Sequence, residues 1–130
     1  MNIALIAHEK KNDLMVDFCV AYKKILQEHT IFAASNIGNL IAEATGLTIQ
    51  RQAPGTLGSE QQIAARVSYN EIDMVIFLRD PFSIKESLPD INSLLRLCDI
   101  HSIPVATNIA TAEILIKGLE RGDLAFRELL

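Results

Sequence analysis

The sequence predicts a three-layer αβα domain built on an open, mainly parallel five-stranded sheet. Three observations carry that prediction. The runs Ile3–Ala7 and Asp73–Leu78 are short and almost wholly apolar, as strands buried on both faces require. Around the strand-like runs lie segments whose apolar residues recur every three or four positions, the spacing of amphipathic helices. Strand and helix alternate five times within 130 residues, a length suited to one domain, with no linker or low-complexity stretch.

The first strand, Ile3-Ala4-Leu5-Ile6-Ala7, ends at the polar turn His8–Asn12. Leu14, Met15, Phe18, Tyr22, Ile25 and Leu26 then predict a helix over 12–28. Thr30–Ala34 is a second strand. Ser35-Asn36-Ile37-Gly38 offers a cap for a second helix, which runs through Leu40, Ile41 and Ala44 and stops at Gly46. Thr48–Arg51 is a short third strand. Pro54, Gly55 and Gly58 interrupt regular structure, and Ser59 with Gln62 forms the S-x-x-Q capping pattern of the next helix. Ile63, Ala64 and Val67 continue it, so Glu60 falls in its first turn, where free N–H groups favour a negative charge.

Asp73–Leu78 is the fourth strand, and Pro81 keeps it from extending past Asp80. Ile91, Leu94, Leu95 and Cys98 mark a helix with Asp90 in its first turn. Ile103–Thr107 is the fifth strand, in which Pro104 belongs at the start or on an edge. A helix over 110–119 and a short closing one over 123–130 complete the chain. Right-handed crossovers favour the Rossmann-like order 3-2-1-4-5, with strands 1 and 4 adjoining where the winding reverses. Ligands bind such sheets at that switch point, beyond the carboxyl ends of the strands. His8 ends strand 1, Asp80 ends strand 4, and Glu60 opens the helix before strand 4. The topology gathers all three on one side of the sheet.

Composition narrows the function classes. The net charge is −4 and no Lys/Arg cluster alternates with aromatics, which argues against nucleic acid as a partner. Cys19 and Cys98 are far apart and read as buried thiols of a reducing compartment. His8, His29 and His101 lack metal-ligand spacing, and neither Gly-x-Gly-x-x-Gly nor a Walker lysine motif is present, which argues against dinucleotide or NTP binding in the usual modes. The chain opens on Asn2–Ala7 without signal-peptide features, and no apolar run reaches membrane-spanning length; the expected location is the cytoplasm. Its richness in Ile, Leu and Ala suits burial against further copies of itself.

With these residues laid out, the chain resembles the methylglyoxal synthase family over nearly its whole length. The matching stretches are Ile3–His8, Glu43–Leu47, Leu57-Gly58 leading into Gln61-Gln62, Val75–Pro81, Leu95–Asp99 and Pro104–Asn108. The resemblance implies the fold derived above, a homohexamer, and conversion of dihydroxyacetone phosphate to methylglyoxal and phosphate without metal or organic cofactor. It implies Glu60 as general base and His8 as the donor that polarises the carbonyl. Asp80 and Asp90 would orient groups and relay protons. The ligand, a small phosphorylated or anionic metabolite, would meet His8, Asn12, Ser35, Asn36, Ile37, Pro54, Gly55 and Ser87.

Several of these positions depart from the family's pattern. Gly58-Ser59-Glu60-Gln61-Gln62 stands where the family has Gly-Gly-Asp-Gln-Gln, which keeps a carboxylate but moves it by ~1 Å or more. Asn12 replaces a lysine, Ala34-Ser35-Asn36-Ile37 replaces Thr-Gly-Thr-Thr, Pro54-Gly55 replaces Ser-Gly, and Ser87 replaces a histidine. Backbone N–H groups at the helix start after Ser35 still suit an anion. Lys10, Lys11 and Arg79 read as solvated surface charges. A non-catalytic, regulatory small-ligand-binding member of the same fold is the alternative class, and an enzyme for a less anionic ligand a third. Turnover of dihydroxyacetone phosphate separates them.

Overall fold

The computed structural model of the chain describes residues 1–51, 59–82 and 91–130, with the backbone alone at 35, 51, 59 and 60. Strands β1 (Asn2–Ala7), β2 (Thr30–Ala33), β3 (Ile49–Arg51), β4 (Met74–Leu78) and β5 (Val105–Ala106) form one sheet. The order is β3-β2-β1-β4-β5, the arrangement expected from right-handed crossovers. All four pairings are parallel, with Leu5 opposite Ala33 and Ala7 opposite Leu78. The helices are α1 (Asn12–Ala21), α2 (Lys23–Leu26), α3 (Ser35–Thr45), α4 (Ser59–Ser68), α5 (Ile91–His101) and α6 (Ile109–Arg121).

The pleat sorts side chains into two cores. Ile3, Leu5, Ile31, Ala33, Met74, Ile76 and Leu78 pack with residues of α1, α3 and α6. Ala4, Ile6, Phe32, Val75 and Phe77 pack with Ile63 and Val67 of α4 and with Leu94 and Cys98 of α5. Because residues alternate across a strand, each strand serves both layers, which explains its continuous apolar character. Among the described residues no helix is long and apolar enough to cross a membrane.

Three local readings change. The helix expected over 12–28 breaks at Tyr22 (φ −110°, ψ 23°), whose ring lies 5.0 Å from that of Phe18. The Tyr22 hydroxyl donates to the Glu113 carboxylate on α6, so the residue at the break is held at both ends of its side chain. β5 is shorter than expected: Pro104 has no N–H to give, and it enters the ladder only by accepting from Val75 N at 3.0 Å. The closing element is a 3₁₀ helix over Ala125–Leu129 that buries Arg127. Gly46 ends α3 in the left-handed region (φ 75°), as a C-terminal stop requires.

Candidate active site at the switch point

β1 and β4 run side by side, so their carboxyl ends bring His8 and Asp80 together. The chain stays extended through His8 (φ −64°, ψ 152°), and His8 N donates to Leu78 O at 3.0 Å, continuing the ladder. After Ala4 and Ile6, alternation puts His8 on the α4–α5 face. Its ring meets the Phe77 ring edge-on, with centroids 5.4 Å apart. The backbone N–H of Asp80 donates to His8 Nδ1 at 2.7 Å. In the neutral ring an acceptor at Nδ1 leaves the proton on Nε2, so the imidazole carries a single outward donor.

Burial lowers the His8 pKa below its ordinary 6.5; the Asp80 carboxylate works against that shift and Arg79 with it. The net effect favours the neutral ring. We expect the His8 ring-proton shifts to titrate with a midpoint below 6.5, since the native ring binds its proton less readily than a free one. A midpoint at or above 6.5 would contradict this arrangement.

The Asp80 carboxylate is itself engaged: Oδ1 accepts from Phe82 N at 3.0 Å, which forms the turn after β4. One strand away from His8, β2 ends and α3 begins. Its N-cap is Ala34, not a residue of the Ser35–Gly38 segment, and Ala34 offers no side-chain acceptor. The first-turn amides therefore receive no capping side chain from that position, as an anion site at a helix start requires. Asn36 is exposed at that end. The Ile37 side chain is 3% exposed and belongs to the core beneath α3, which leaves its main chain at the first turn. Asn12 opens α1 and is half-buried.

α4 starts at Ser59, which is thus its first helical residue rather than its cap, and Glu60 is the second. This helix packs on the face that His8 occupies. Pro54, Gly55, Ser87 and Asp90 lie outside the described residues. Cys19 and Cys98 are buried free thiols whose pKa values burial pushes up to about 12 and about 11, which keeps both protonated and poor as nucleophiles. The partner that sets the His8 tautomer is a backbone amide, for which a sequence carries no side-chain signal. What could have pointed to it is topology: the residue after strand 4 must lie beside the residue after strand 1.

A wound parallel sheet with an oriented imidazole and a carboxylate turn at its switch point defines the class, and the MGS-like domain family matches residues 14–107. A methylglyoxal synthase of Caldicellulosiruptor saccharolyticus is 62% identical over the whole chain and 92% of that protein. Those of Thermoanaerobacter sp. strain X514 and Listeria welshimeri are 57% and 54% identical, each over 99% of this chain and over 98% and 96% of their own. The crystal structure of methylglyoxal synthase from Elizabethkingia anophelis aligns with a TM-score of 0.80 at 33% identity, covering 88% of this chain and 76% of that one. The chain belongs to the methylglyoxal synthase family.

Proposed function

We propose that this protein is a phosphate-eliminating lyase that converts dihydroxyacetone phosphate to methylglyoxal and inorganic phosphate in the cytoplasm. The observation that carries this reading is the Asp80 N–H on His8 Nδ1, which commits Nε2–H to an outside acceptor. A ketone oxygen that becomes an enediolate oxygen is such an acceptor, and a positioned neutral donor stabilises the charge that develops on it. Glu60 takes a proton from the hydroxymethyl carbon, giving the enediolate. The electron pair then expels phosphate by breaking the carbon–oxygen bond, and the resulting enol tautomerises to methylglyoxal. Asp80 and Asp90 orient the hydroxyl and carry protons; first-turn amides of α3, with Asn12, Asn36 and the Pro54-Gly55 and Ser87 segments, receive the phosphate end. No step calls on a metal or organic cofactor.

Family membership supports assembly into a homo-oligomer, a hexamer. So does the exposure of Val20, Ile100 and Ile114, which are 52%, 62% and 68% exposed in the single chain. The test is to incubate the purified protein with dihydroxyacetone phosphate and follow methylglyoxal and phosphate in the same sample. Equal release of both is expected, from a species that light scattering places above the monomer mass. Absence of both products sinks the lyase reading and leaves the regulatory ligand-binding alternative.

A further inference from the structure

The extended backbone that places His8 places a second residue with it. Cα partners Ile6–Phe77 and Ala7–Leu78 lead, one step on, to His8 opposite Arg79. The ladder persists at that level on both sides of β4: His8 N donates to Leu78 O, and Arg79 N donates to Thr107 O at 3.3 Å. Alternation after Val75 and Phe77, both in the core under α4 and α5, puts Arg79 on the same face that His8 reaches after Ala4 and Ile6. Adjacent strands lie about 4.8 Å apart, so a guanidinium on its three-carbon stem is well within reach of the space in front of the imidazole. The side chain is exposed, and no ion pair with Arg79 occurs among the described residues. Its charge is nonetheless felt at His8, where it favours the neutral ring.

We infer that Arg79 is a substrate-binding residue, whose guanidinium holds the anionic phosphate of the ligand beside the carbonyl that His8 polarises. A planar guanidinium gives a phosphate two parallel N–H donors, which fixes orientation as well as charge. It also supplies a cation on the His8 face that Asn12 and Asn36 cannot supply. Arg79 thereby serves both ends of the reaction, gripping the leaving group and keeping the carbonyl donor uncharged. The inference rests on the lyase reading of this site for the identity of the ligand.

The experiment compares the parent protein with Arg79→Met and Arg79→Lys, using inorganic phosphate as the probe. Dissociation constants are read by calorimetry and the His8 midpoint by the ring-proton shifts. Arg79→Met should weaken phosphate roughly tenfold or more and raise the His8 midpoint, with thermal stability unchanged in the absence of phosphate. Arg79→Lys should leave the midpoint near that of the parent and restore only part of the affinity, since the charge returns without the fork. Unchanged phosphate affinity in Arg79→Met overturns the assignment, as does a parent protein that binds no phosphate at millimolar concentration. The two readings fail separately. A parent without turnover but with Arg79-dependent phosphate binding loses the lyase reading alone; turnover with phosphate binding indifferent to Arg79 loses this one alone.

Discussion

Replacing Glu60 by Gln is expected to lower kcat for methylglyoxal release by about 10²–10⁴-fold, the range that general acid–base catalysis contributes. The amide matches the carboxylate in shape and cannot take a proton from carbon. KM should therefore move little, because the groups that receive the phosphate are untouched. The position suits a base that must stay ionised: Glu60 is the second residue of α4, where the helix dipole and free amides favour negative charge. Glu60→Asp, which supplies the shorter carboxylate usual in the family, is expected to be at least as active as the parent. Steady-state release of methylglyoxal and phosphate checks both variants. A Gln variant within twofold of the parent removes Glu60 from the mechanism and with it the reason for the carboxylate at this helix start.

Arg127→Met is expected to cost on the order of 3–5 kcal/mol of stability, the usual consequence of removing one partner from a buried charged network. Arg127 is 4% exposed, although it lies three residues before Leu130. Nη1 donates to His101 O at 2.5 Å and Ser102 O at 3.3 Å; Nη2 donates to Asn70 Oδ1 at 2.6 Å and Ile72 O at 3.1 Å. Nε lies 3.6 Å from Asp73 Oδ1 and has no hydrogen-bond partner among the described residues. Asp73 Oδ2 in turn accepts from Asn2 N, so one guanidinium links the closing 3₁₀ helix to the end of α5, the entry to β4 and the start of β1. Methionine fills much of the volume and leaves the acceptors bare. Chemical denaturation measures the loss, and one below ~1 kcal/mol would show that the closing segment frays without consequence.

Much of the fold was legible because the physics behind it is written in local patterns. Short continuous apolar runs bounded by polar turns suit strands covered on both faces, which identified β1 and β4, and crossover handedness then ordered the sheet. Pro104, by the donor it lacks, pointed to a strand's start or an edge, and it directly precedes the outermost strand β5. The break at Tyr22 was invisible, since a change of backbone angle at one residue leaves the three- and four-residue apolar spacing intact. Arg127 gave no warning because the sequence does not show which backbone carbonyls will converge on a guanidinium. At the site, His8 and Asp80 could be brought together from topology alone, and that they touch through the Asp80 amide follows from strand register. For Ile37 the resemblance names a position along the chain and not which part of the residue meets the ligand end; its side chain lies in the core and its main chain at the helix start. Arg79 reads as surface charge and is solvent-exposed; the role inferred for it comes from His8, which faces it on the adjoining strand.

The sheet's two outer strands have three and two residues, and one of them follows a proline. Each therefore offers only a brief row of open amides and carbonyls on which a foreign strand could template. Copies of this chain that meet at high concentration find little purchase for edge-to-edge pairing. Exposed aliphatic residues on the outer surfaces of the helices, Val20, Ile100 and Ile114 among them, offer a different kind of contact, made by side chains.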